Sequence, residues 1–439
     1  MFYNTEHFSF YVFLQYFIST LIIFLSGYSR IKKGNVQSKL FYTFYIGGFF
    51  FYAGVGAAYK EGVAVDYFMY YLIYLIVFVL FFIRGYKSFS GVEKKFGAVA
   101  DYKLNTLVAN KNFCVTIIIV YLFCSGFSLI YPNFQLYKLV SPPKPDSTSI
   151  VFERFTNEHN DLILVLVRYF KLLLTPFFLL ALNYFRNRIW MMALVLFLPL
   201  YFEFCVQAYI GRSAMLIQGV IFFLILWQNR PKIRTKLVIA LAILIPSFII
   251  FSYYYQSLRI GGSQNFKNIT LNDALDGVLG IETGFPTRSA EIIDKGLSTD
   301  LGAYSKWLIT LPFPKFMLER SQGGLVGYEI SEHLLGVKRT DTGYFVILYG
   351  NVTESIYIYT KYLFWVQPII IGLLLSYLSR YFGSSKLLLP VFIYLLITCG
   401  YNLTRAGTQS AFPVVINNNL LFYIFLYFKV RQVRLAKSP

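Results

Sequence analysis

The chain has 439 residues, of which 57% are apolar and only 14% charged, with 46 Phe and 37 Tyr. Soluble domains carry about 25% charged residues, so this composition excludes an ordinary water-soluble fold. The net charge of +19 lies largely in short gaps between apolar runs and has no nucleic-acid motif beside it, which argues for membrane topology and against a nucleic-acid partner.

Apolar runs long enough to cross a bilayer, about twenty residues at about 1.5 Å each, are expected near 9–28, 40–58, 66–83, 113–131, 162–184, 189–209, 214–229, 237–254, 362–379, 387–403 and 411–428. The first has no basic residue before it and no small-residue cleavage site, so it reads as a retained helix rather than a cleaved signal. Basic clusters follow the odd-numbered runs: Arg30 and Lys32, Arg84 and Lys87, Arg186 and Arg188, Arg230 and Lys232, Arg380 and Lys386, then Lys429 and Arg431. This bias places the N-terminus outside and the C-terminus in the cytoplasm. The expectation is an all-α, polytopic membrane protein of about eleven spans. Residues 1–254 would hold eight of them, with a short outer loop near 132–161. Residues 255–353 would form a large, partly helical extracytoplasmic loop, and 354–439 the last three spans and a basic tail. In the large loop, Thr270-x-x-Asp273 resembles a capping box and Thr287 to Lys295, before Gly296, a short capped helix. Leu311-Pro312-Phe313-Pro314 breaks regular structure. Cys114, Cys124, Cys205 and Cys399 fall inside apolar runs without metal spacing and read as small core hydrophobes.

Charges inside or beside the membrane carry the functional signal. Arg168 and Lys171, at i and i+3, share a face of the fifth run and lie about 10 and 15 Å below its start. A charge there costs at least ~2.5 kcal/mol unless paired or wet, so they mark either a function or a structural ion pair with Glu203 in the sixth run. Arg212 and Arg259 stand at outer helix ends, each near glycine, against the topology bias. They are either ordinary interfacial arginines or a grip for an anion, since guanidinium presents a two-pronged fork to phosphate oxygens. Arg288, Arg320 and Arg405 are further outer cations.

His333, within Glu332-His333-Leu334, is the side-chain type suited to taking a proton from a sugar hydroxyl near neutral pH; the alternative is a plain loop histidine. Glu329, Glu332, Asp341 and Glu354 are the other available bases. No Asp-x-Asp pair, Walker loop or GxGxxG occurs, so neither a bound metal nor another cofactor is expected.

The order of features in the second half resembles the O-antigen polymerase (Wzy-type) family. The residues that carry the resemblance are Leu311-Pro312-Phe313-Pro314-Lys315, Thr340-Asp341-Thr342-Gly343-Tyr344 and Gly350-Asn351-Val352-Thr353-Glu354-Ser355-Ile356-Tyr357. A helix with Gly372 and a cytoplasmic Arg380 follows. The resemblance spans about Tyr209 to Arg405 and departs at Ile358-Tyr359-Thr360-Lys361-Tyr362, where the family has an Asn-Phe-Gly turn. It implies a GT-C-like membrane glycosyltransferase of the bacterial inner membrane, metal-independent and without nucleotide sugar. The donor and the acceptor would both be undecaprenyl-pyrophosphate-linked oligosaccharides, with a chain-length regulator as a possible protein partner. Arg212 and Arg259, with Arg288, Arg320 and Arg405, would hold the pyrophosphate; His333 or Glu354 would orient or deprotonate the acceptor. Tyr304, Trp307, Tyr328 and Tyr344 would stack on sugars. Three alternatives stand beside it: an O-antigen ligase, a lipid-linked oligosaccharide flippase using Arg168 and Lys171, and a cell-wall polymerase of the elongation and division type.

Overall fold

Polar caps and glycines cut this apolar chain into helices. In a computed structural model describing residues 8–59, 61–142, 161–207, 212–240, 242, 247, 285–313, 326–338, 344 and 346–437, every regular element among the described residues is helical. In chain order these are α1 (Phe10–Ile31), α2 (Val36–Phe49, prolonged by a π turn Phe50–Gly54 and a last turn Val55–Ala58), α3 (Glu61–Ser88), α4 (Ser90–Ala109) and α5 (Lys111–Gly126). Next come α6 (Leu162–Ala181), α7 (Ile189–Gln207), α8 (Arg212–Asn229), α9 (Phe285–Asp294), α10 (Leu301–Thr310) and α11 (Val326–Leu335). The chain ends with α12 (Gly350–Leu363), α13 (Val366–Phe382), α14 (Leu389–Ala406), α15 (Thr408–Ile416) and α16 (Leu420–Lys437).

Side chains take up the free N–H groups at several helix starts. Asn35 accepts from Ser38 N at 2.8 Å, Asn110 from Phe113 N at 3.2 Å and Asp161 from Ile163 N at 2.9 Å. Among the described residues, eight segments are long and apolar enough to cross a membrane, from Phe10–Ile31 to Thr408–Lys429, and Ala214–Asn229 and Val366–Phe382 are apolar but shorter. The run expected near 237–254 and the capping box at Thr270 lie largely or wholly outside the described residues.

The helices sort into two compact units. One joins residues 1–100 to 279–420, the other 101–278 to 421–439. In the first, α3 and α13 run side by side at a distance only glycine permits: a Cβ on Gly372 would lie 2.9 Å from the Phe78 carbonyl and 3.0 Å from the Phe82 nitrogen. Phe49 stacks on Tyr71 and Tyr74 at 4.9 and 5.1 Å. Several polar groups pair among these helices, where lipid offers no partner. Thr20 and Tyr71 share a hydrogen bond of 2.6 Å, and Ser38 and Ser379 one of 2.8 Å. The described part of the expected large loop adds three short helices, α9, α10 and α11, all packed on α12. The helix expected from Thr287 to Lys295 is α9, closed by Gly296 at φ 60°.

In the second unit, α5 and α6 meet through Tyr121 and Phe178, stacked at 4.0 Å. Phe177 of α6 sets its edge on Phe422 and Phe425 of α16 at 5.1 and 5.3 Å. Tyr201 of α7 donates to the Leu139 carbonyl. Cys114 and Cys205 are buried here and Cys124 half-buried, and Cys399 is buried in the first unit, all as free thiols.

Candidate functional site

Glu354 is the polar centre of the first unit. It lies one turn into α12 and is fully buried. Its Oε1 accepts from Thr408 N at 2.9 Å, Thr408 Oγ1 at 2.9 Å and Gln409 N at 3.4 Å; its Oε2 accepts from Thr408 N at 2.7 Å and from Gln367 Nε2. The carboxylate therefore caps the first turn of α15, where backbone N–H groups and the helix dipole favour negative charge. Gly407, at φ 74° and ψ −168°, makes this possible by ending α14 and starting α15 in a conformation open essentially to glycine alone. Burial pushes the Glu354 carboxyl up to about 7, while the donors from Thr408, Gln367 and Gln409 pull the other way.

The cap extends outward on both sides. Tyr304 of α10 is hydrogen-bonded to Thr408 Oγ1 at 2.7 Å, and burial, with the Glu354 charge, pushes its phenol well up. Gln409 Oε1 accepts from Gly327 N at 2.5 Å, tying in α11. Toward α13, α3 and α2, Gln367 Oε1 accepts from Tyr74 at 3.4 Å, Tyr74 meets Tyr45 at 3.4 Å, and Asn351 Nδ2 donates to Tyr45 at 2.8 Å. Asn351 sits on α12, so the path from Glu354 through α13, α3 and α2 closes back on its own helix.

An aromatic row beside this centre connects two of the expected cations. Arg405 lies 5.3 Å over Tyr401, and Tyr401 is 6.0 Å from Tyr52. Tyr52 in turn is 5.6 Å from Phe285, and Arg288 is 5.6 Å over Phe285. Tyr52 belongs to the π turn of α2, a distortion found often at functional sites. His333 is exposed on α11, 6.3 Å from the ring of Tyr357. Tyr357 donates to Glu329 Oε2 at 3.4 Å, and Thr299 donates to the same oxygen at 2.6 Å.

The first unit thus holds Arg288, His333, Glu354 and Arg405. Arg168, Lys171 and Glu203 belong to the second, where Lys171 lies 5.8 Å over the Tyr121 ring. Arg212 opens α8, but its side chain is outside the described part, and Arg259 and Arg320 lie outside it altogether. Tyr304 and Trp307 are buried and stacked on each other at 5.6 Å. That corrects their expected part as sugar platforms: both rings fill the interior of the unit. Gln367, Thr408, Gln409 and Gly407 were not expected at all. The signal for them was the Gly407-Thr408 pair, a helix stop followed by a polar helix start between two apolar runs.

Long apolar helices, with short helices packed on α12 around a buried, hydrogen-bonded carboxylate, define a multi-pass membrane protein that is helical throughout its described residues. Compared with family models, curated proteins and solved structures, the chain matches none of them.

Proposed function

We propose that this protein polymerises undecaprenyl-pyrophosphate-linked oligosaccharide repeat units at the outer face of a bacterial inner membrane, transferring the growing glycan to the incoming lipid-linked repeat. The observation that carries this reading is the pair Arg288 and Arg405, set at the two ends of one aromatic row around Tyr52. A guanidinium group carried on an aromatic support suits the phosphates of a lipid diphosphate, whose charge grows as it leaves. In the transfer, the bond from the donor's anomeric carbon to the diphosphate oxygen breaks and its electron pair departs with the diphosphate. The acceptor hydroxyl oxygen forms the new bond, and its proton passes to the exposed imidazole of His333. Glu354, with about four lone-pair sites on a carboxylate facing five donor contacts, acts here as a positioning residue. Its grip on Thr408 holds the break at Gly407, two residues from Arg405. The reading takes the chain to cross the membrane about eleven times, with the N-terminus outside and the C-terminus cytoplasmic.

The test is a gel ladder of surface polysaccharide from cells lacking this protein. Collapse to a single-repeat band, restored by wild type and by Arg405→Lys in part but not by Arg405→Ala, supports the polymerase. Loss of all surface glycan points to a flippase or ligase, and an unchanged ladder sinks the glycan reading.

A further inference from the structure

A basic cluster lies in the second unit. Where α4 gives way to α5, Lys103, Thr106 and Asn110 line a notch of about 240 Å³, and Lys429 of α16 lines it too. Leu104 and Phe425 give it an apolar wall. Lys429 is exposed and lies 5.9 Å over the Phe425 ring, while Lys103 is half-exposed. No carboxylate lines the notch among the described residues, so two ammonium groups share it without a neutralising charge of its own.

The polar atoms around the lysines are partly committed. Thr106 donates its hydroxyl to the Lys103 carbonyl at 2.8 Å, and Asn110 uses its Oδ1 to cap Phe113 N at 3.2 Å. The Asn110 NH₂ group is then the neutral donor left for a ligand. Position supplies the rest. Lys429 is the last residue of the apolar segment Thr408–Lys429, and Lys111, next to Asn110, is the first of Lys111–Leu129. The notch therefore sits where hydrocarbon ends and headgroups begin, the depth at which basic pockets between helices take anionic lipid.

We infer that this notch binds the phosphate of an anionic phospholipid, with Lys103 and Lys429 as the two cationic ligands and Asn110 as a donor. Free phosphate would meet the same lysines, but the Leu104 and Phe425 wall and the boundary position select an amphiphile whose glycerol and first methylenes lie against apolar surface. The notch stands independently of any glycan chemistry.

The experiment uses the full-length protein in nanodiscs of phosphatidylcholine, or of phosphatidylcholine doped with phosphatidylglycerol, released gently for native mass spectrometry. Wild type should retain phosphatidylglycerol, and Lys103→Ala with Lys429→Ala several-fold less. The paired Lys→Arg variant should retain it as wild type does, which separates charge from folding. Equal retention by wild type and the alanine pair overturns the proposal, as does equal retention of the two lipids. A third arm adds inorganic phosphate to phosphatidylcholine discs. A phosphate adduct there, absent from the alanine pair, would assign the notch to free phosphate and overturn the lipid assignment.

Discussion

Glu354 and Thr408 are held together at three points: the Thr408 N–H reaches both carboxylate oxygens, at 2.9 and 2.7 Å, and its hydroxyl reaches Oε1 at 2.9 Å. Removing the carboxylate leaves those donors, and the Gln367 amide, buried without an acceptor. A stranded buried donor costs about 1–3 kcal/mol. Glu354→Ala should therefore unfold at a clearly lower temperature than wild type in detergent, and should lose the long-chain glycan as well. A wild-type melting temperature for this variant would show that the cap holds nothing together.

The same carboxyl makes stability depend on pH. Its folded value of about 7 stands above the ordinary 4.5, with burial as the main cause. Between those values the folded state holds a proton that the unfolded chain has released, so its contribution is full below about 4.5 and is lost as pH rises through about 7. At roughly 1.4 kcal/mol per unit, the span amounts to about 3 kcal/mol. Melting curves of wild type should fall across that window, and those of Glu354→Gln, which has no proton to release, should fall less. Parallel curves would reject the assignment.

Gly407→Ala puts a methyl group at φ 74°, in a region closed to side chains, and points it into the Glu354 carboxylate. We expect a loss of at least about 2 kcal/mol, from backbone strain of 1–3 kcal/mol plus the displaced cap. The measurement is the yield of monodisperse protein on size exclusion together with its melting temperature; a well-behaved variant would mean the α14–α15 break is easily remade.

Thr360 is the only non-glycine among the described residues with positive φ, at 67° with ψ 166°, and it breaks α12. A β-branched residue there is strained. Thr360→Gly should raise stability by about 1 kcal/mol, read as a higher melting temperature, and a decrease would show that the Thr360 hydroxyl, which accepts from Tyr362 N at 3.4 Å, outweighs the strain.

The membrane helices were legible because burial in lipid is written as continuous apolar runs that need no knowledge of neighbours. Phe10–Ile31 and Leu162–Phe185 lie close to where hydropathy places them. Helix α9 was legible for a local reason too, since Gly296 closes it. Glu354 stood out in the stretch from Gly350 to Tyr357, but its partners did not. Gln367, Thr408 and Gln409 are single polar residues whose meaning depends on which helices pack together, and that is set by non-local contacts. Tyr304 and Trp307 failed for a related reason: an aromatic side chain on a short amphipathic helix looks the same whether its face meets sugar or core.

The closed path of Asn351, Tyr45, Tyr74, Gln367 and Glu354 has a consequence for how the protein is made. Tyr74 and Gln367 are 293 residues apart, and Tyr45 and Asn351 are 306 apart. At about 5–20 residues per second, α2 and α3 wait in the membrane for roughly 15 to 60 s before α12 and α13 emerge. During that interval Tyr45 and Tyr74 have only each other, in a solvent that offers nothing else, and the whole second unit up to α8 is synthesised meanwhile. The ring is thus a late event of biogenesis, and a chain halted before Gln367 exposes polar tyrosine faces in lipid, the kind of surface that membrane quality control recognises and removes.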